Sequence, residues 1–359
     1  MCHPIVKTVD SSGCYSYLVG CRESGLALLI DPKVGDEATY EDLLARYGLK
    51  LGLVVDTHTH ADHLSASTRY VERGVPLAMA QSTGVDRELR GLAEGDVIEV
   101  GKLRFEVRAT PGHTADSIAL VGHGSVFCGD SLFVGGLARA DFRGSDPVQL
   151  FDSVQAKLMT LPDETVVFPG HGYNGILFTT IGTERASNPA LQHASGAAYA
   201  AAIAVTEGAG NTPAVDATLT MNLERHPDLP DSPTNAAACC AAPTGKGERE
   251  AIAEVDCEDR RETVAELAAE GRWIDVREPW EFDQGHVPGV KSLPLSELAF
   301  HLDELRGHDP LTISCRSGGR SMNAAKTLNH LGVVEPVNLR GGLLRWQELG
   351  YPIDGEPID

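Results

Sequence analysis

The sequence predicts a two-domain α/β chain. A larger, sheet-rich first domain carries helices outside its sheets, and a smaller second domain has a parallel sheet covered by helices. Three observations predict it. The 359 residues favour more than one domain. Short β-rich runs dominate the first half, whereas strands and helices alternate over the C-terminal segment. Between them, from Ala194 to Glu250, Ala, Gly, Thr, Asn and Pro replace the regular patterning.

The elements follow in order. Leu26–Ile30 reads as a strand stopped by Asp31-Pro32, and Glu37–Tyr47 has helical spacing. Leu51–Val55 is a continuous apolar run, as in a strand buried on both faces. Val97–Val100 and Leu103–Val107 flank Gly101-Lys102, a hairpin turn. Ile118–Val121, Ser125–Phe127 and Thr165–Phe168 read as further strands, Pro147–Met159 and Ala194–Thr206 as helices. Later, strands are expected at Trp273–Val276, Leu311–Ser314 and Pro336–Leu339. They alternate with helices at Arg260–Glu270, Leu295–His301, Ser321–Leu331 and Leu343–Leu349, the pattern of a parallel sheet. The expected division is residues 1–243, a linker at 244–255, and a second domain at 256–359.

The charge balance narrows the partners. Fifty-one acidic against 30 basic residues give a net charge of −21, which argues against nucleic acid and anionic membranes. The eight cysteines include no C-x-x-C pair, so a finger-type zinc site is not expected. A core of this size needs no disulfide framework, so free thiols and a reducing, cytoplasmic compartment are expected. The first residues lack a basic stretch followed by a long apolar run, and no apolar stretch is long enough to span a membrane.

The sharpest motif is Thr57-His58-Thr59-His60-Ala61-Asp62-His63, directly after the buried strand. Imidazoles and a carboxylate this close at a strand end suit zinc or iron. His113 in Pro111-Gly112-His113, Asp130 in Cys128-Gly129-Asp130 and His171 in Pro169-Gly170-His171 each follow a glycine at a turn. Loops at strand ends can aim such ligands at one point.

These motifs, in this order, resemble the metallo-β-lactamase superfamily from about Val6 to Pro243. The resemblance implies an αββα sandwich. In binuclear hydrolases of that superfamily, His58, His60 and His113 would hold one metal, Asp62, His63 and His171 a second, with Asp130 bridging. Arg139-Ala140-Asp141-Phe142, Leu161-Pro162 and Phe168-Pro169-Gly170-His171-Gly172-Tyr173 are similar to the persulfide dioxygenase branch. That branch has Gly-Arg-Thr-Asp-Phe where this chain has Ala138-Arg139-Ala140-Asp141-Phe142. The resemblance implies one Fe(II) per chain on His58, His113 and Asp130, a two-histidine, one-carboxylate site with open positions for dioxygen and substrate. His60, Asp62, His63 and His171 would then orient the ligands through hydrogen bonds. The implied reaction takes a low-molecular-weight persulfide and O2 to sulfite and a thiol, glutathione being the family's usual one. Arg139 would orient the substrate or pair with a nearby acid, and Tyr173 would hydrogen-bond the bound sulfur or oxygen or simply pack. Cys128, close to Asp130, reads mainly as a small buried filler. The tandem Cys239-Cys240 has no assigned role.

The second motif is Cys315-Arg316-Ser317-Gly318-Gly319-Arg320, between a strand and a helix. Glycines let such a loop curl with its N–H groups inward, and the helix start adds partial positive charge. Both favour a thiolate nucleophile at Cys315. Tyrosine-phosphatase-like loops have five residues between Cys and Arg; here there are four, a ring suited to the outer sulfur of a persulfide. With Ile274-Asp275-Val276-Arg277, Glu281, Gly285-His286 and Gly341-Gly342 ahead of Trp346, the segment is similar to rhodanese domains. That resemblance implies that Cys315 takes sulfur from thiosulfate and passes it to a thiol, with the persulfide held by loop N–H groups and Arg320. Asp275, Arg277, Glu281 and His286 read as scaffold.

Two alternatives stay open. One is a binuclear zinc thioester hydrolase of the glyoxalase II type fused to a rhodanese. The other is a carrier delivering Cys315 persulfide to a protein partner. Neither reading excludes a homo-oligomer.

Overall fold

The structure is a computed structural model, and it describes residues 4–85, 89–172, 174–203, 212–224 and 251–358. The chain divides into two compact units, Met1–Tyr173 with Thr180–Lys246, and Asn174–Thr179 with Gly247–Asp359.

The first unit is built on two sheets. One has six strands in chain order: Ile5–Ser11, Cys14–Cys21, Leu26–Ile30, Lys50–Val55, Leu77–Ala80 and Arg90–Leu92. Its first three strands are antiparallel and the rest pair in parallel. The second sheet places Val166–Pro169, Ser125–Gly129, Ile118–Gly122, Leu103–Ala109 and Val97–Val100 side by side. Every residue of Cys14–Cys21 and of Ser125–Gly129 is buried, as strands inside a sandwich must be. Tyr17 joins the two layers: its ring meets Phe127 and Phe168 edge-on, and its hydroxyl donates to the Pro169 carbonyl at 2.5 Å. Tyr40, Leu43 and Leu44 of the helix Glu37–Tyr47 and Tyr70 of Ser67–Glu72 pack on the outer face of the first sheet. Leu150, Phe151, Val154 and Leu158 cover the second sheet. The result is an αββα sandwich.

Two local differences from the sequence reading have physical reasons. The helix expected at Pro147–Met159 starts where Asp146 caps it, its side chain accepting from Val148 and Gln149 N–H. It is α-helical only to Ser153 and continues as a π-helix over Val154–Leu158, with Val154 and Leu158 both buried. The hairpin Ile5–Ser11/Cys14–Cys21 was not anticipated. Ser12 (φ 60°) and Gly13 (φ 91°) form its two-residue turn, both in the left-handed region that such turns require.

The second unit has a five-stranded sheet in the order Ala253–Val255, Pro336–Leu339, Leu311–Ser314, Trp273–Asp275, Lys291–Ser292. All four pairings are parallel. The expected linker, 244–255, needs correction at its end: Ala253–Val255 belongs to the sheet because its backbone pairs with Val337–Leu339. Residues 244–250 lie outside the described residues. The helix expected at Arg260–Glu270 is two shorter ones, Cys257–Arg261 and Val264–Ala269. Thr263 at the junction turns its hydroxyl to the Arg260 carbonyl, 3.4 Å away, in competition with the helical ladder. Similarly, Leu295–His301 is only a 3-10 turn at Leu298–Phe300, followed by the helix Leu302–Leu305. Among the described residues, no helix is long and apolar enough to cross a membrane.

Candidate active sites

The first site lies at the ends of strands from both sheets. The loop after Lys50–Val55 carries His58, His60, Asp62 and His63; Asp130 follows Ser125–Gly129 and His171 follows Val166–Pro169. His113 sits in the loop after Leu103–Ala109. All seven side chains are buried. Close backbone packing makes this possible. Gly129 has φ 47° and lies against Thr57, so a Cβ there would strike the Thr57 hydroxyl; one on Gly170 would strike the Asp130 carboxylate.

His58, His113 and Asp130 each present one donor atom within a 4.8 Å cluster. The hydrogen bonds behind them decide the tautomers. The Thr57 hydroxyl has one proton and donates it to Asp31 Oδ2 at 2.7 Å. Its oxygen therefore accepts from His58 Nδ1–H at 2.9 Å, leaving the lone pair on Nε2. His113 Nδ1–H donates to the Arg139 carbonyl at 2.8 Å, with the same consequence. His58 Nε2 and His113 Nε2 are buried and make no hydrogen bond. They lie 4.0 and 3.5 Å from Asp130 Oδ2. Two imidazole lone pairs and a carboxylate facing one point fit a bound cation. Burial opposes ionisation of Asp130, but His171, His113 and His58 outweigh it and hold the carboxyl below the usual range. Burial, with His60 beside it, pushes His58 down to about 3, which keeps the imidazole neutral as a ligand must be.

The remaining four residues meet further neighbours, and His60 Nε2, His63 Nε2 and Asp62 Oδ1 are likewise buried without a hydrogen bond. His60 Nε2 lies 3.2 Å from Asp31 Oδ1, a charge contact rather than an aligned hydrogen bond. Asp62 Oδ2 is met by Cys14 Sγ at 3.3 Å and His63 Nδ1 at 3.1 Å. Against the burial penalty, Asp62 holds His63 protonated up to about 10. His171 Nδ1–H donates to the Gly13 carbonyl at 3.1 Å, and its Nε2 lies 3.2 Å from Asp130 Oδ2.

Several supporting residues escaped the sequence reading. Asp31 ends Leu26–Ile30 and accepts from Thr57 N–H at 2.6 Å. Asp116 accepts from Thr59 N–H (3.2 Å), Thr59 Oγ1 (2.6 Å) and Thr114 Oγ1 (2.7 Å), tying the His58 loop to the His113 loop. Asn222, on the helix Pro213–Leu223, donates to the His60 and His63 carbonyls at 2.9 and 2.8 Å. Cys14 reaches Asp62 because its strand bridges to His171. Arg139 is largely buried and pairs through Nε with Asp141 at 2.6 Å. Burial pushes the Cys128 thiol up to about 12, and it donates to the Leu132 carbonyl at 3.2 Å. Tyr173 and Cys239-Cys240 lie outside the described residues.

The second site lies at the carboxyl end of Leu311–Ser314, the middle strand of the parallel sheet, where open α/β sheets place their sites. Cys315 is 1% exposed. Its sulfur accepts from Gly318 N–H at 3.2 Å and Ser321 N–H at 3.3 Å, with the Ser321 hydroxyl also 3.3 Å away. The loop closes through Gly318 at φ 95° and leads into the helix Gly319–His330. Leu343 and Leu344 N–H, just past Gly341-Gly342, bond the Cys315 and Arg316 carbonyls and hold the loop from behind. Arg316, Ser317 and Gly319 are exposed. Arg320 is held by Glu281 through two parallel 2.6 Å bonds. Glu281 thus fixes the loop arginine, beyond the scaffold role read for it. Asp275 and Arg277, both 1% exposed, form a buried ion pair at 2.9 Å under the loop's strand.

Comparison with known proteins places both units in known families. The model of the metallo-beta-lactamase superfamily matches residues 84–171, and that of the rhodanese-like domain matches residues 260–349. Human mitochondrial persulfide dioxygenase ETHE1 is 36% identical over 181 residues, covering 49% of this chain and 71% of that protein. The crystal structure of ETHE1 from Myxococcus xanthus superposes with a TM-score of 0.58 at 36% identity, covering 61% of this chain and 97% of that one. A hydroxyacylglutathione hydrolase from Polaromonas sp. (strain JS666 / ATCC BAA-500) is 34% identical over 242 residues, covering 61% of this chain and 89% of that protein. The chain belongs to the metallo-β-lactamase superfamily. Within it, the chain joins a homologue of the persulfide dioxygenases to a C-terminal rhodanese domain.

Proposed function

We propose that the chain is a bifunctional sulfur enzyme in which one Fe(II) site oxidises a persulfide and Cys315 transfers sulfur between thiosulfate and a thiol. The observation that carries the iron reading is the convergence of His58 Nε2, His113 Nε2 and Asp130 on one point, with the other ring nitrogen of each histidine already engaged. Around them His60 lies against Asp31, and Asp62 Oδ2 is met by Cys14 and His63, while His60 Nε2, His63 Nε2 and Asp62 Oδ1 are buried without a hydrogen bond. A set of two histidines and one carboxylate suits non-haem Fe(II). Iron would supply a place for persulfide and O2 to react. The balanced reaction is RSSH + O2 + H2O → RSH + sulfite + 2 H⁺, with glutathione persulfide the favoured substrate. The protein's own part is to keep His58 and His113 neutral and oriented through Thr57 and the Arg139 carbonyl.

In the second unit, the loop N–H groups that face Cys315 sulfur would stabilise the thiolate and then the persulfide. Arg320, steadied by Glu281, would attract the anionic donor. Transfer from thiosulfate leaves sulfite and a Cys315 persulfide, and a thiol acceptor regenerates the enzyme. The resulting small persulfide is the substrate class of the iron site, which favours coupled activities.

The hydrolase relative keeps a binuclear zinc thioester hydrolase in view, since all seven side chains are present. Metal analysis of the purified full chain separates the readings. One iron per chain and no thioester hydrolysis is the expected result. Two zincs per chain with thioester hydrolysis would overturn the dioxygenase reading.

A further inference from the structure

The Ser321 hydroxyl has a single proton and three acceptors within reach. They are Asn338 Oδ1 at 2.6 Å, the Gly318 carbonyl at 3.1 Å and Cys315 Sγ at 3.3 Å. Ser321 is fully buried, and Asn338, on the neighbouring strand Pro336–Leu339, is 3% exposed. Solvent therefore does not arbitrate.

Asn338 can face Ser321 with its carbonyl or its amide, and Glu254 decides which. The Asn338 Nδ2 donates to Glu254 Oε1 at 3.3 Å. Arg340 Nε donates to the other Glu254 oxygen at 2.9 Å and helps to hold the carboxyl below its ordinary range. An ionised carboxylate only accepts, so the amide must turn its NH2 towards Glu254 and its carbonyl towards Ser321. The Ser321 proton then goes to Asn338, its shortest contact. Ser321 Oγ is left facing Cys315 with lone pairs, as an acceptor suited to a thiol S–H. A thiolate or persulfide needs the opposite, a donated proton.

We infer that Asn338, oriented by Glu254, is a positioning residue for sulfur transfer: it decides whether the Ser321 hydroxyl accepts from Cys315 or donates to it. The inference rests on Cys315 being the sulfur-transfer nucleophile. Opposite a Cys315 thiol the hydroxyl is turned to Asn338. On formation of the thiolate or persulfide it turns to sulfur and leaves Asn338, so Asn338 competes with the charged form. The other charged groups of the loop, Arg316 and Arg320 with its partner Glu281, stay unchanged in the test.

The experiment is the pH dependence of Cys315 alkylation by iodoacetamide in the full chain, read by mass spectrometry of the Cys315 peptide. Asn338→Leu removes the competing acceptor, and the alkylation midpoint is expected to fall by about one unit, tenfold more thiolate at a given pH below it. Glu254→Lys, at an exposed position, presents a donor to Asn338 and turns its amide round, so it is expected to shift the midpoint the same way. In a Ser321→Ala background the Asn338→Leu shift is expected to vanish, and the Glu254→Lys shift to shrink to the effect of the added charge. An unchanged midpoint in both single variants, an upward shift, or equal shifts with and without Ser321 would overturn the inference. Glu254→Lys keeps the test decisive if Asn338→Leu does not fold. Thiosulfate-dependent sulfur transfer by the unaltered chain, measured in parallel, tests the sulfurtransferase reading separately.

Discussion

Thr57→Val is the most informative single change in the first domain. Valine matches threonine in shape, so packing at this buried position is conserved, and only the hydroxyl is lost. Two hydrogen bonds go with it, the 2.7 Å bond to Asp31 and the 2.9 Å bond from His58 Nδ1–H. A hydrogen bond to a charged group is worth about 1.5–3 kcal/mol, and a stranded buried donor costs about 1–3 kcal/mol. Asp31 keeps its bond from the Thr57 N–H, so the total loss of stability is expected to be about 3–5 kcal/mol. Metal affinity should fall too, because His58 loses the group that sets its tautomer; removing such a partner typically costs 10–100-fold. The assay pairs urea denaturation of the metal-free protein with competition for Fe(II) against a chelator. Thr57→Ser, which retains the hydroxyl, should recover most of both. Iron affinity within twofold of the unaltered protein in Thr57→Val would refute the tautomer argument.

Three further outcomes follow from the same geometry. Cys315→Ser should abolish thiosulfate-dependent sulfur transfer and leave oxygen uptake with added persulfide intact; loss of both would contradict independent sites. Glu281→Gln removes the charged partner of Arg320 and should lower kcat/KM for thiosulfate by roughly tenfold through misplacement of the guanidinium, read by steady-state sulfite release. Burial resists ionisation of Asp116, but hydrogen bonds from Thr114 and Thr59 outweigh it and hold its carboxyl below the usual range. Its contribution to stability is therefore present above the unfolded value near pH 4 and lost as pH falls through the lower folded one. Asp116→Asn should lower stability at neutral pH by about 1–3 kcal/mol and flatten the acid limb of the metal-free protein's denaturation profile. A profile parallel to that of the unaltered protein would contradict this.

The seven residues of metal-binding type were legible because four of them crowd into His58–His63 and the others each follow a glycine in a turn. Cys315 was legible because its loop is continuous in sequence. What orients these residues was not. Asp31, Asp116 and Asn222 are single polar residues in distant segments, and only the fold brings them to the histidine loop. The helix bearing Asn222 was passed over as a shift in composition, since its apolar residues form no clear stripe. Its start signal was nevertheless present: Thr212 caps it, accepting from Val215 N–H, and Pro213 occupies the first turn. Similarly, Ser12-Gly13 between β-prone runs marked the N-terminal hairpin, whose turn supplies the Gly13 carbonyl to His171. The link between Arg320 and Glu281 needed the structure, because it joins residues 39 positions apart.

The most direct test of the account is the ratio of oxygen consumed to sulfite formed by the iron-loaded Cys315→Ser protein with glutathione persulfide. That variant removes sulfur transfer as a second source of sulfite. One sulfite per O2 is expected, in proportion to iron content and without need of thiosulfate. No oxygen uptake by protein holding one iron per chain, or sulfite formed without oxygen, would contradict it.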